Sequence, residues 1–118
     1  MRNFCGYKCS FRLNAMHNIS PNIENKHSHT FCITLYIEVK ETETFIPFYL
    51  VENKIENYFE KFENCFLNEQ IEFIDILPIC ENIGAIFFKE LSKVINDTHY
   101  ILQRLEINEN PLVTSVIE

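Results

Sequence analysis

The chain has 118 residues, of which 47% are hydrophobic, and a formal net charge of −7 at pH 7. This length allows one domain with a substantial core, over residues 1–118, but not two domains. The acidic balance argues against nucleic acid or an anionic membrane as a partner, because binding to phosphate groups requires clustered Lys and Arg.

Cysteine usage and hydropathy indicate the compartment. The apolar runs fall short of the roughly 18 residues that cross a bilayer, and residues 1–9 lack the apolar stretch of a secretory signal, so we expect a cytoplasmic protein with no membrane partner. An odd count of five cysteines argues against a disulfide framework. We interpret Cys5, Cys9, Cys32 and Cys65 as small core thiols. A metal site at Cys5 and Cys9 is disfavoured, because four strand residues would separate them by about 13 Å.

Two extended segments open the chain. Over residues 7–17 the odd positions are mainly apolar and the even positions mainly polar, which is typical of a half-buried strand and puts His17 on the apolar face. Residues 27–37 alternate in the same way, with His27 and His29 on one side. Side chains two residues apart on a strand are separated by about 6–7 Å.

The segment between these strands, residues 18–26, contains Pro21 and several asparagines and is predicted to be a loop that returns the chain antiparallel. Such a return brings together the imidazoles of His17, His27 and His29. Three neutral imidazoles with no fourth protein ligand nearby are typical of an open catalytic zinc, which keeps one position for water or substrate. The alternative interpretation is a core histidine beside two surface histidines without metal.

The middle of the chain predicts a short third strand and two helices. Residues 45–48 are extended and apolar, with a proline that requires a strand end or an edge position. Apolar residues at steps of three and four predict a helix of about three turns from Leu50, and a second helix from after Pro78 to about Ile95. Residues 63–77 lack a clean period and are predicted to form a connection.

The C-terminal part predicts two more strands. Residues 99–109 place Ile101, Leu105 and Ile107 on one side of a strand, and residues 112–117 form the last strand. The order β-β-β-α-α-β-β predicts an α+β fold in which both helices pack on one face of an antiparallel sheet.

Three motifs together resemble the 6-pyruvoyl-tetrahydropterin synthase and 6-carboxy-tetrahydropterin synthase family. They are the histidines described above, the helix start at residues 78–82 (Pro-Ile-Cys-Glu-Asn), and residues 105–109 (Leu-Glu-Ile-Asn-Glu) in a late strand. The resemblance covers nearly the whole chain. It implies the tunnelling fold, in which β-β-α-α-β-β protomers close into a ring homo-oligomer, here expected to be a hexamer, with active sites between neighbouring subunits.

The resemblance also implies the site. It assigns Zn²⁺ to the three histidines and pterin anchoring to Glu109, with Cys80 and Glu81 as further substrate-binding residues. In this family the metal acts as a Lewis acid on a dihydropterin while a nearby base moves protons.

The chain departs from the family where the acid–base residues lie. The usual cysteine would fall at Ile23, whereas one branch of the family uses a glutamate at the position of Glu24, which is therefore the first candidate for the base. The family's Asp-His pair aligns with Glu63 and Asn64, so an amide that cannot titrate replaces the relay histidine. Glu63 is the second catalytic candidate.

Three functions follow from these matches and departures. The first is a zinc-dependent lyase of pterin or deazapurine metabolism, as in queuosine biosynthesis, that acts on dihydroneopterin triphosphate. Its phosphates would need Lys26, Lys8 or the bases of a neighbouring subunit. The second is a catalytically impaired paralogue that keeps the zinc site and pterin pocket as a binding or assembly protein. The third is a structural domain without zinc.

Overall fold

Among the described residues, four antiparallel strands form one sheet in the order β1-β2-β3-β4. The computed structural model describes residues 4–19 and 27–118. The strands and helices are β1 (Gly6–His17), β2 (His27–Val39), α1 (Tyr49–Glu60), α2 (Cys80–Ile95), β3 (Tyr100–Asn110) and β4 (Val113–Ile117). Two short 3-10 turns, Leu67–Glu69 and Ile71–Phe73, lie between the helices. The predicted α+β class is therefore confirmed, with the order β-β-α-α-β-β.

Both helices cover the same face of the sheet, as predicted. On β2 every second side chain from Phe31 to Ile37 is fully buried. Helix α1 turns Val51, Ile55 and Phe59 toward this face, at the helical spacing that makes one apolar stripe. Burial of each large apolar side chain contributes about 1.5–3 kcal/mol, which fixes the faces of both helices.

The ring of Phe87 on α2 lies at the centre of the core. Its centroid is 5.4 Å from that of Phe59, 5.2 Å from that of Phe62 and 6.3 Å from that of Phe73. These contacts join α1, α2 and the second 3-10 turn into one layer. The apolar face predicted for α2 is confirmed at Ile83, Phe87, Leu91 and Ile95, which are buried.

The predicted strand at residues 45–48 is wrong. This segment has no strand pairing, and Phe45 is 81% exposed. Its backbone instead starts α1, because the carbonyl of Pro47 accepts the Leu50 N–H and the carbonyl of Phe48 accepts the Val51 N–H. A proline has no N–H for a strand ladder, so this local use of the carbonyls is favoured.

The face assigned to Ile101 is also wrong. Tyr36 pairs with Arg104 while Ile37 pairs with Leu102, so Gln103 is one extra residue in β3. Such a bulge reverses the alternation of side chains. Leu102 is therefore buried and Ile101 only half-buried, whereas Leu105 and Ile107, beyond the bulge, are buried as predicted.

The connection after α1 runs along the outer edge of β1. The Met16 N–H donates to the Cys65 carbonyl at 2.9 Å, and the Asn64 N–H donates to the Asn14 carbonyl. Asn64 adopts a left-handed backbone with φ of 59°, which asparagine tolerates better than most residues. This pairing covers the end of an edge strand and holds residues 64–68 next to His17.

All five cysteines are free. Cys9, Cys32 and Cys65 are half-buried, but Cys5 is exposed, so its interpretation as a core thiol is wrong. Cys5 precedes β1 at the end of the sheet, where its carbonyl accepts the Val39 N–H. Within residues 4–19 and 27–118, no helix has the length and apolar character required to cross a membrane.

Candidate metal centre and substrate cavity

The strand register brings three histidines together. His17 pairs directly with His27 across β1 and β2, and His29 lies two residues further along β2 on the same face. The ring centroids are 4.5 Å apart for His17 and His27, 5.0 Å for His17 and His29, and 4.6 Å for His27 and His29. One nitrogen from each ring lies within 4.8 Å of the others, so the three can hold one metal ion.

The environment of His17 fits a metal ligand. The residue is 1% exposed, and its Nδ1–H donates to the Pro78 carbonyl at 2.8 Å. Its Nε2 is buried and has no hydrogen-bond partner among the described residues. Because a carbonyl only accepts, Nδ1 carries the proton and Nε2 presents a lone pair, the arrangement in which most metal-bound imidazoles are held.

Burial lowers the pKa of His17, and this effect outweighs the opposing effects of the Pro78 hydrogen bond and the Glu109 charge. The lowered pKa favours the neutral form of the ring, which metal ligation requires. A buried nitrogen without a partner costs about 1–3 kcal/mol. A metal ion bound to Nε2 would remove this cost, so the three histidines fit a metal ion.

A pair of asparagines fixes the chain beside His17. The Asn18 N–H donates to Asn68 Oδ1 at 2.9 Å, and Asn68 Nδ2 donates to the Asn18 carbonyl at 2.9 Å. This reciprocal pair joins the end of β1 to the first 3-10 turn. Neither Asn68 nor the carbonyl of Pro78 was among the predicted site residues, because side-chain type and strand period carry no signal for a contact across fifty or sixty residues.

Glu109 lies against the histidines. Its Oε2 is 3.1 Å from His29 Nε2 and 3.4 Å from His17 Nε2, and its side chain is 36% exposed. A carboxylate therefore lies beside two of the three imidazoles, which the sequence had not placed there as a neighbour of the cluster. Glu109 comes from β3 on the same face as Ile107, so tertiary pairing of β3 with β2 brings it to the site.

A cavity of about 320 Å³ opens beside His17. It brings together the three predicted substrate-binding residues, Cys80, Glu81 and Glu109. Its other described lining residues are Ile19, Ile79, Asn110, Val113 and Ser115. The cavity thus combines two carboxylates, a thiol and apolar walls next to the three histidines.

The Cys80 thiol is neutral at physiological pH. Burial and the nearby Glu109 carboxylate raise its pKa to about 11, although the Glu109 backbone N–H donates to the sulfur and acts in the opposite direction. Its position at the start of α2 does not compensate for these effects. Cys80 is therefore a weak hydrogen-bonding group in the cavity wall and not a nucleophile.

The two catalytic candidates are placed differently. Glu24 lies outside the described residues. Glu63 accepts hydrogen bonds from the backbone N–H of Asn14 at 3.2 Å and from its Nδ2 at 2.9 Å. Because side chains alternate along β1, Asn14 and His17 face opposite sides of the sheet, so the chain does not bring Glu63 into its own cavity.

Neither of the two lysines predicted to bind phosphate is seen at the cavity. Lys8 is on the same face as Asn14, away from the cavity, with its ammonium 5.5 Å from the ring centroid of Tyr36. Lys26 lies outside the described residues.

Solved structures of known proteins share this fold. The structure is similar to that of Caenorhabditis elegans 6-pyruvoyl tetrahydropterin synthase, with a TM-score of 0.78, 16% identity, and coverage of 100% of this chain and 99% of that chain. It is also similar to Plasmodium falciparum 6-pyruvoyl tetrahydropterin synthase, with a TM-score of 0.66, 14% identity, and coverage of 95% and 96%. A Plasmodium vivax 6-pyruvoyltetrahydropterin synthase, a mutant in which a catalytic glutamate is alanine, gives 0.66 and 12%, with coverage of 94% and 96%.

These structures share the fold at low identity, and no curated protein matches the sequence. The family model for 6-pyruvoyl tetrahydropterin synthase, however, matches residues 7–118, which is nearly the whole chain. The chain therefore belongs to the 6-pyruvoyl tetrahydropterin synthase family, and this membership implies a lyase-like role in pterin metabolism.

Proposed function

We propose that the protein binds one zinc ion per protomer through His17, His27 and His29 and acts as a lyase on a dihydropterin. The observation that carries this proposal is the buried Nε2 of His17. Within the part of the chain that the structure describes, this atom has no hydrogen-bond partner, and it lies beside two further imidazoles at the wall of a cavity. Buried polar atoms in native proteins almost always have a partner, and an ion held by the three imidazoles would supply one here.

When bound, zinc would supply a Lewis acid that makes the C–H bonds beside the substrate's side-chain oxygens more acidic. The chain's own residues would position the substrate. The Glu109 carboxylate can accept the N–H groups of a pterin ring and orient it. Ile79 and Val113 offer apolar surface to the ring, while Cys80 and Glu81 line the same cavity.

We propose Glu24 as the general base and Glu63 as the second candidate. Support for Glu24 comes from its place three residues before His27 and from the relative in which a glutamate is the catalytic residue that was replaced. Glu63 could serve only at the cavity of another subunit, because within its own chain it faces away from the histidines.

The proposed substrate is dihydroneopterin triphosphate, with a 6-carboxy-tetrahydropterin product of the deazapurine and queuosine type. None of the described residues that line the cavity is Lys or Arg. A triphosphate would therefore be bound by Lys26 or by bases of a neighbouring subunit.

We further propose that the protein is a cytoplasmic ring homo-oligomer with six subunits. β1 and β4 are both edge strands, and an edge strand presents unpaired backbone groups that another chain can pair with. Light scattering coupled to size-exclusion chromatography would measure the assembly, and a monomer at all concentrations would contradict it.

A second function is favoured by the position of Glu63. With Asn64 in place of a titratable relay and the Glu63 carboxylate engaged by Asn14, the chain's own cavity lacks the family's proton relay. We therefore retain a catalytically impaired paralogue, which binds zinc and pterin without turnover, as the alternative function.

One experiment separates the two functions. Purified protein is analysed for metal and incubated with dihydroneopterin triphosphate, and the products are identified by mass spectrometry, with apo protein as control. A lyase contains about one zinc per chain and forms product, and Glu24→Gln abolishes turnover while the metal stays bound. Pterin binding without product supports the paralogue. The absence of both metal and pterin binding would contradict both functions.

A further inference from the structure

The position of the Glu109 carboxylate relative to the imidazoles matches that of a fellow ligand. Two ligands of one tetrahedral ion, with bonds of about 2.0–2.1 Å, are separated by about 3.3 Å. Glu109 Oε2 lies 3.1 Å from His29 Nε2 and 3.4 Å from His17 Nε2. The carboxylate thus stands at ligand spacing from two of the three histidines.

The hydrogen bonding of His17 strengthens this interpretation. With Nδ1–H donated to the Pro78 carbonyl, Nε2 is the His17 nitrogen that faces the Glu109 oxygen, at 3.4 Å. The Pro78 hydrogen bond thus fixes the orientation of the ring, and it leaves Nε2 at ligand spacing from the carboxylate.

We propose that Glu109 is a fourth, displaceable metal ligand, which occupies the remaining coordination position until a pterin draws the carboxylate away. The second half of this proposal rests on the proposed function, because it assigns pterin anchoring to the same carboxylate. Glu109 is suited to both roles: it lies one residue before the end of β3, its side chain is 36% exposed, and it lines the cavity.

A consequence follows for substrate recognition. A pterin must compete with the metal for Glu109, so its apparent affinity is reduced by the free energy of breaking that contact. In exchange, the ion has four protein ligands while the cavity is empty, and the metal is retained more strongly. The same residue would thus make metal coordination depend on occupancy of the cavity.

The test uses the full chain loaded with Co²⁺, whose visible absorption reports coordination. Glu109→Gln and Glu109→Ala are compared with the wild type in the absence of pterin. Glu81→Gln is the matched control, because it removes an equal charge from the same cavity, whereas the ion-pair contacts found for His17 and His29 among the described residues are with Glu109. Thermal unfolding of each variant establishes that it is folded.

We expect both Glu109 variants to change the Co²⁺ spectrum, to weaken metal affinity by about 10- to 100-fold, and to bind azide at the freed position. The Glu81 variant should keep the wild-type spectrum and affinity. Unchanged spectrum and affinity in the Glu109 variants would overturn the ligand role. Equal effects of the Glu81 and Glu109 changes would also overturn it, since charge alone would then account for the result.

A second arm adds 7,8-dihydroneopterin to the Co²⁺ protein. We expect the wild-type spectrum to move toward that of Glu109→Gln and the variant's spectrum to change less. If pterin binds, as measured by calorimetry, but the wild-type spectrum stays fixed, displacement is refuted. If no pterin binds while the metal results hold, the proposed function fails and the ligand role of Glu109 stands.

Discussion

Replacement of His17 by leucine, a residue of similar volume, tests whether this buried histidine exists for a metal or for the core. In the metal-free protein the change removes an unpartnered buried nitrogen, which relieves about 1–3 kcal/mol. It also removes the hydrogen bond to the Pro78 carbonyl, which costs about 0.5–1.5 kcal/mol, with a further penalty for the carbonyl left without a donor. These contributions nearly cancel. We expect the free energy of unfolding of the metal-free variant to lie within about 1 kcal/mol of that of the wild type.

With zinc the two proteins should diverge. A ligand at about 100 times its dissociation constant stabilises the state that binds it by about 2.7 kcal/mol. The wild type should gain this amount, and His17→Leu should gain little. Urea unfolding with and without a chelator measures both free energies, and tyrosine fluorescence is a suitable signal because the chain has five Tyr and no Trp.

The matched control is His99→Leu. His99 is also buried, but its Nδ1 lies 3.4 Å from a carboxylate oxygen of Glu41, outside the histidine cluster. This variant should keep the full zinc-dependent gain. The reasoning would be refuted if metal-free His17→Leu lost more than about 3 kcal/mol of unfolding free energy, or if zinc did not stabilise the wild type. Either result would indicate that His17 is an ordinary core residue.

Three further predictions concern the framework and the cavity. Gly6→Ala should lower the free energy of unfolding by about 1–3 kcal/mol in chemical denaturation, because the added Cβ would overlap the Ile37 carbonyl oxygen; Cys5→Ala, at an exposed neighbour, should be neutral. Burial raises the pKa of Asp97, but its hydrogen bonds from the N–H groups of residues 99 and 100 outweigh this and lower the pKa below its ordinary value of 3.8. The stability contributed by the charge is therefore complete above that value and is lost as pH falls through the lower folded pKa, so the difference in the free energy of unfolding between wild type and Asp97→Ala should narrow in acid. Peptide-resolved alkylation of Cys80 should be slow at pH 7 and rise toward its pKa of about 11; fast labelling at pH 7 would contradict a neutral thiol.

The fold was largely predictable because its elements have clear periods. Alternation over residues 7–17 and 27–37 defined two strands, and steps of three and four defined both helices. The errors fall where local pattern is ambiguous. Residues 45–48 have an extended apolar composition, yet their carbonyls start α1. The face of Ile101 depends on a bulge at Gln103, which exists only through pairing with β2.

The candidate metal site shows the same division. The parity of three histidines on two adjacent strands was visible in the sequence, because a period of two fixes which side chains share a face. The sequence pattern also gave Glu109 the face of Leu105 and Ile107. Its contact with the imidazoles was not visible, because no local sequence feature indicates how far β3 extends along β2.

By itself the sequence determined which faces of the strands and helices are apolar, and therefore the α+β class, the sheet with both helices on one side, and the convergence of the three histidines. Only the tertiary structure decided the partners that give those histidines their chemistry: the Pro78 carbonyl that orients His17, the Asn68 amide that holds the end of β1, and the Glu109 carboxylate beside the rings. The physical reason is range. Periodicity is a property of neighbours along the chain, whereas hydrogen bonds and ligand spacings depend on segments that meet only after the core has packed.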